Sequence, residues 1–163
     1  MKIGIVADSH NNLTNLQAAL AIFRLEPITT LIHCGDLTSS ETAAALGEFH
    51  VLHSQGNGDY ASGDIRRVLN GLNPRNFSGL TYEGAIGAVP IAVTHGHLAG
   101  KIDELLDSNL YRYVFCGHTH RHADETFGNT RLINPGALGG LKMEGHSACI
   151  LDLDTGACHF FGV

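Results

Sequence analysis

The sequence predicts an α/β (α+β) fold: two packed β-sheets with helices outside, a four-layer sandwich built as one domain over residues 1–163. Three observations predict it. Short apolar runs alternate with helical patterns up to residue 54. The remainder reads mostly as strands with one helix. No linker, internal repeat or low-complexity tract divides the chain. With 163 residues, 44% hydrophobic and 16% charged, the chain can bury a real core and is not disordered.

The elements follow in order. KIGIVA (2–7) is a short apolar run that stops at Asp8, the signature of a buried strand. Leu13, Leu16, Leu20 and Phe23 fall at helical spacing, so 13–25 reads as an amphipathic helix ended by Pro27. TTLIHC (29–34) is a second strand. SSETAAALGEF (39–49) is a second helix capped by Ser39 or Ser40, and HVLHS (50–54) is a third strand. This order implies parallel pairing through right-handed crossovers. Residues 60–79 read as loop-rich with one short helix. GLTYEGAIGAVPIAVTH (79–95) gives two strands joined near Gly84–Gly87, and GKIDELLDS (100–108) a short helix. YRYVFC, ADETF, TRLIN, HSACILDLD and ACHFFGV complete the strands, with Asp154-Thr155-Gly156 as a hairpin turn.

The formal net charge is −6 with only 10 Lys and Arg, and no basic stripe marks a nucleic-acid surface. An anionic substrate then needs bound metal ions to supply local positive charge. No apolar run approaches the ~18 residues of a membrane span, and MKIGIVADSH lacks signal-peptide features, so a soluble cytoplasmic protein is expected. Cys34, Cys116, Cys149 and Cys158 form no CxxC pair and read as small buried hydrophobes.

Polar residues recur at one kind of place. Five predicted strands are followed by Asp8-Ser9-His10, Gly35-Asp36, Gly56-Asn57, His95-Gly96-His97 and Gly117-His118-Thr119-His120. Strand carboxyl ends line the ligand crevice of α/β sheets. His118 and His120 stand at alternate positions, so on extended backbone they face one object together. Asp8, His10, Asp36, Asn57, His95, His118 and His120 make two carboxylates, one amide oxygen and four imidazoles. Such donors suit Mn, Fe, Ni or Zn, and the absence of thiolates argues against a structural zinc site. Seven donors exceed the ~4 of one zinc ion, whereas two ions sharing a carboxylate account for the number.

In this order the five motifs resemble those of the calcineurin-like metallophosphoesterases. The similarity is greatest to the small bacterial and archaeal phosphodiesterase branch, and Asn134-Pro135-Gly136 extends it. The resemblance implies a sandwich of two mixed sheets flanked by helices and a binuclear site. It also implies hydrolysis of a small phosphodiester or phosphomonoester by a hydroxide between two divalent ions, with Mn foremost. By the same resemblance Asp8, His10 and His120 hold the first ion, Asn57, His95 and His118 the second, and Asp36 bridges both.

One position departs from the family pattern. Many members carry a His after the motif Asn, where this chain has Gly58. A missing general acid typically lowers rate by ~10²–10⁴, most for poor leaving groups, so activated or phenolic leaving groups are expected. His97 is the candidate substitute, against the reading that it caps its own loop. Asp59 is expected to bond behind a ligand, and His122 to be structural on the next strand. Arg66, Arg67, Arg121 and Lys142 are single basic residues that read as surface. His33, His50, His53, His146 and His159 read as structural. Two other functions stand against the hydrolase. One is a non-catalytic protein-binding scaffold of the same fold, as in a eukaryotic retromer subunit that resembles this family. The other is a nuclease, against which the acidic balance argues. No membrane partner is expected, and a homo-oligomer is left open.

Overall fold

A computed structural model describes residues 1–141 and 143–163. Its strands are β1 (Lys2–Val6), β2 (Thr30–His33), β3 (His50–Ser54), β4 (Phe77–Gly79), β5 (Thr81–Ile86) and β6 (Val89–Thr94), followed by β7 (Tyr113–Phe115), β8 (His122–Phe127), β9 (Thr130–Pro135), β10 (Ser147–Asp152) and β11 (Cys158–Gly162). Its helices are α1 (Leu13–Arg24), α2 (Ser40–Ala44), α3 (Ser62–Leu72) and α4 (Lys101–Asp107).

Both sheets are mixed. One runs β11-β10-β1-β2-β3-β4, parallel from β1 to β4, with β10 antiparallel to β1. The other runs β5-β6-β7-β9-β8, parallel through β6, β7 and β9 with antiparallel edges. The period-two alternation of each strand separates two cores. Ile3, Ile5, Ile32 and Leu52 meet Ile91, Val93, Phe115 and Ile133 between the sheets. Val6, Leu31 and Val51 face the other way, onto Leu16, Leu20, Phe23, Ile65 and Leu69 of the helices. Leu105 and Leu106 of α4 cover Ala92 and Val114 on the far face of the second sheet. Each fully buried Leu or Phe contributes about 1.5–3 kcal/mol. The four layers are those expected.

Three expectations change. Residues 60–79 hold an eleven-residue helix and a fourth parallel strand, not mainly loop. Gly63 and Gly71 lower the propensity of α3 by about 1 kcal/mol each, and no side chain caps it. Burial of Ile65 and Leu69 holds it in place instead. The second helix covers only Ser40–Ala44, with Ser39 as its N-cap accepting from Thr42 N at 3.2 Å. His118 and His120 are not extended, as their φ values of 71° and 56° are left-handed. No helix among the described residues is long and apolar enough to cross a membrane.

Candidate metal centre

The strand-end residues converge at the carboxyl edge of both sheets. Asp8 lies just past β1, Asp36 past β2, His95 directly after β6, and His118 and His120 past β7. Three backbone bonds tie these loops together: Asp8 N to Gly35 O at 2.9 Å, His10 N to Asp36 O at 3.0 Å and Gly117 N to His95 O at 3.0 Å. Glycines permit the approach. A Cβ on Gly35, whose φ is +100°, would overlap the His95 ring, and one on Gly56 would overlap Asp36 Oδ1.

Two groups of donors close to within 4.8 Å of one another: Asp8, His10 and His120, and Asp8, Asp36 and His95. His120 Nε2 lies 3.3 Å from Asp8 Oδ1, and His10 Nε2 lies 3.4 Å from both Asp36 Oδ2 and His120 Nε2. His95 Nε2 lies 3.6 Å from Asp36 Oδ1 and 4.0 Å from Asp8 Oδ1. The two Asp36 oxygens therefore face different histidines, one toward each group.

Backbone carbonyls set the tautomers. His95 Nδ1 donates to Cys34 O and His120 Nδ1 to Leu141 O, both at 2.7 Å. Each ring then presents an Nε2 lone pair inward, the arrangement that orients ligating histidines. Burial holds the His10 and His95 imidazoles below the ordinary histidine range, so both are neutral near pH 7. Burial also pushes the Asp8 carboxyl up to about 7, against the pull of His120 and of the His118 amide. Asp8 Oδ2 accepts that amide at 2.9 Å. Asp8 Oδ1 and His95 Nε2 are buried without any hydrogen-bond partner among the described residues. Several ligating atoms aimed at one point, with His95 and His120 both presenting lone pairs there, fit a cation.

Asn57 and His118 stay on the rim and are exposed. Asn57 lines an open cleft of about 510 Å³ with His10, Asn11, Asp36, Thr38, Gly58 and Tyr60. The His118 ring centroid is 5.0 Å from that of His95, and the His97 ring is 5.4 Å from His95. His97 Nδ1 is buried without a partner among the described residues, so its side chain does not cap the loop by that atom. His122 begins β8 and meets Glu144 Oε2 at 2.8 Å, away from the cluster. Arg66, Arg67 and Arg121 are exposed, and Lys142 lies outside the described residues.

Asp59 bonds behind the cluster, as expected, but to backbone. Its carboxylate accepts Thr38 N at 2.6 Å, Gly56 N at 2.7 Å, Asp36 N at 3.1 Å and His53 Nε2 at 3.2 Å. Burial works against its charge, but the His53 and amide bonds prevail and hold the carboxyl well below the usual range. His53, read as structural, is thus one step from Asp36, and its Nδ1 accepts from Ser78 Oγ at 2.9 Å. Asn134 was noted only as part of a motif. Its Nδ2 donates to Gly117 O at 2.9 Å and fixes the loop that carries His118. The nearest sequence signal for Asp59 was its place in the Gly-Asn-Gly-Asp turn.

Fold and site together define a class: a two-sheet α/β sandwich with a histidine–carboxylate cradle at its strand ends. The chain belongs to the calcineurin-like phosphoesterase superfamily, whose domain model matches residues 1–156. The phosphodiesterase MJ0936 of Methanocaldococcus jannaschii is 32% identical over 145 residues, 86% of each chain. Among solved structures, an archaeal phosphodiesterase superposes at TM-score 0.94 and 29% identity over the whole of both chains. Vps29 of Entamoeba histolytica complexed with zinc superposes at TM-score 0.72 and 17% identity, over 100% of this chain and 98% of that one. At that identity the likeness is one of fold.

Proposed function

We propose that this protein is a metal-dependent phosphodiesterase acting on a small phosphoester at a two-ion centre. One observation carries the reading. Asp8 Oδ1 and His95 Nε2 are buried and have no partner among the described residues, and they face the same space as the Nε2 atoms of His10 and His120. Asp8, His10 and His120 would hold one ion, and His95, His118 and Asn57 the other. Asp36 would bridge them, a role supported by its two oxygens facing different histidines. The oxygen and imidazole donors suit hard-to-borderline divalent ions such as Mn, Fe, Ni or Zn, with Mn as the ion we propose. Divalent ions there supply a water of lowered pKa and neutralise charge on the phosphoryl oxygens.

The chain's own residues do the rest. The Cys34 and Leu141 carbonyls keep His95 and His120 in the ligating tautomer. The bonds from Asp59 to the Asp36, Thr38 and Gly56 amides hold the Asp36 loop still. His97, whose ring lies 5.4 Å from that of His95, would contact the substrate. Gly58 offers no acid to the departing oxygen, so esters of acidic phenols would be favoured. The scaffold alternative rests on Vps29 alone, and its support is confined to fold.

The test is hydrolysis of bis(p-nitrophenyl) phosphate by chelator-treated protein with Mn²⁺ restored. Turnover that returns with Mn²⁺ and is absent from a His95→Ala variant is expected. Protein that binds Mn²⁺ yet turns over neither diester nor monoester would transfer the case to the scaffold.

A further inference from the structure

His33 is a fully buried imidazole at the carboxyl end of β2, on the helix-facing side that it shares with Leu31. A leucine would fill such a place with no polar group to satisfy. A buried imidazole is tolerated where its ring nitrogens find partners. Both nitrogens of His33 do, and both partners lie in loops that carry the cation cradle.

The first partner is the Gly35 amide, which donates to His33 Nδ1 at 3.2 Å. An amide N–H can only donate, so Nδ1 carries the lone pair and Nε2 the proton. Gly35 N and Cys34 O belong to one planar peptide, whose trans geometry points them in opposite directions. Cys34 O accepts His95 Nδ1 at 2.7 Å. His33 and His95 therefore grip the two ends of a single peptide group, and each bond polarises that group in favour of the other. Gly35 has a φ of +100° and no side chain of its own to fix the turn, so these two bonds set the orientation of the peptide.

The second partner is Ser9 Oγ, which accepts the His33 Nε2 proton at 2.7 Å. Ser9 is fully buried and stands between Asp8 and His10, two members of one ligating group. Asp8 and His10 have left-handed backbone, with φ of 51° and 44°, so the turn around Ser9 is strained and needs an anchor. One ring thus reaches His95 through a single peptide and Asp8 and His10 through a single residue. His53 packs edge-on against it, ring centroids 5.5 Å apart, and supports the Asp36 loop separately through Asp59.

We propose that His33 is a positioning residue for the metal centre, fixing the His95 side through the Cys34–Gly35 peptide and the Asp8–His10 side through Ser9. The inference rests on the two-ion reading of that centre. The separation it controls is that of His95 Nε2 and Asp8 Oδ1, which stand 4.0 Å apart and are both buried without a hydrogen-bond partner among the described residues. His33 acts only through other residues.

The test is calorimetric titration of chelator-treated, folded protein with Mn²⁺, beside urea unfolding of the same metal-free samples. Loss of a group that orients ligands from behind typically lowers metal affinity by about 10- to 100-fold. Ser9→Ala removes one arm and should weaken Mn²⁺ binding by about 10-fold, while His33→Phe removes both and should reach about 10- to 100-fold. His33→Asn, whose Oδ1 can still accept the Gly35 amide, should bind Mn²⁺ more tightly than His33→Phe. The Ser9→Ala/His33→Phe double variant should bind as His33→Phe does, because the two residues form one path. Variants that unfold earlier in urea yet bind Mn²⁺ within about threefold of wild type overturn the proposal, since His33 then serves stability alone. Should His33→Phe fail to fold, Ser9→Ala decides by the same limit. Wild type that binds no Mn²⁺ overturns the two-ion reading itself, a result distinct from equal binding by wild type and variants.

Discussion

Asp8→Asn is an isosteric change that should raise the stability of the metal-free protein while weakening its response to metal. Asp8 is fully buried, and its Oδ1 is surrounded by the Nε2 atoms of His120, His10 and His95 at 3.3, 3.9 and 4.0 Å. The first and last of these are lone pairs by tautomer, so the carboxylate oxygen meets acceptors instead of donors. An amide N–H in the Oδ1 position donates to His120, and the remaining oxygen still accepts the His118 amide. Raising the carboxyl from 3.8 to about 7 corresponds to about 4 kcal/mol of destabilisation above neutral pH. The folded-state pKa is the higher one, so the folded chain holds the extra proton between about pH 4 and 7. Stability therefore falls as pH rises through that window and is level above it. At pH 8 the metal-free variant should exceed wild type by about 2–4 kcal/mol, or about 5–15 °C in Tm, and the gap should close toward pH 4. Mn²⁺ at a hundred times Kd should then raise wild type by about 2.7 kcal/mol for each ion bound, and the variant, which keeps the Asp36, Asn57, His95 and His118 donors, by less. Urea and thermal unfolding of chelator-treated protein at pH 5 and 8, with and without Mn²⁺, measure all of this. An Asp8→Asn protein that melts at or below metal-free wild type at pH 8 refutes the reasoning.

Asp59→Ala leaves four donors, two of them in buried bonds, without their acceptor and should cost about 3–5 kcal/mol in urea unfolding. Because the folded Asp59 carboxyl is held low, its contribution is present above about pH 4 and lost as pH falls, so the variant should show a shallower acid slope. His95→Ala should weaken Mn²⁺ binding by at least about 100-fold in calorimetry, and a change under threefold would remove it from the centre. Gly58→His should not speed hydrolysis of alkyl esters, since its Cβ presses on Asp36 at 3.0 Å and Mn²⁺ affinity should fall with it. An alkyl-ester rate raised tenfold would count against that crowding.

Most of the strand ends were legible because continuous apolar runs and abrupt polar stops coincide in one short stretch, as in KIGIVA before Asp8. Burial on both faces makes such strands continuous apolar runs, and the motif order then carried the family. The helix α3 was legible only in part, because tertiary burial of Ile65 and Leu69 overrides its two glycines and missing cap. The backbone at His118 and His120 is left-handed and not extended, which the alternation of the two histidines does not reveal. Alternation in sequence does not distinguish a strand from a turn of successive left-handed residues. Nor could spacing foresee that Asp59 serves backbone amides from another loop, a contact created by the pairing of β2 with β3. Rim and interior were likewise indistinguishable in sequence. Asn57 and His118 carry donors like their neighbours, yet both are exposed while Asp8 and His95 are fully buried.

The strained backbone and the orphaned acceptors mark the same region. Eight non-glycine residues among those described have left-handed φ, and Asp8, His10, Asp36, His118 and His120 are five of them. Asp and His tolerate that region better than most residues, but five within one cluster still represent stored strain of about 1 kcal/mol or more each. The buried Asp8 Oδ1, with no donor among the described residues, adds to it. A chain that used these loops only for stability would relax them, since ordinary turn residues at the strand ends would satisfy the same backbone bonds. The Asp59 and Asn134 networks instead hold the loops in place through nearby amides and carbonyls, and the helix and sheet cores supply the surplus stability that makes this tolerable. Strain, unpaired acceptors and rigid support at one edge of two sheets are what a preorganised cation site requires, and a scaffold surface requires none of them.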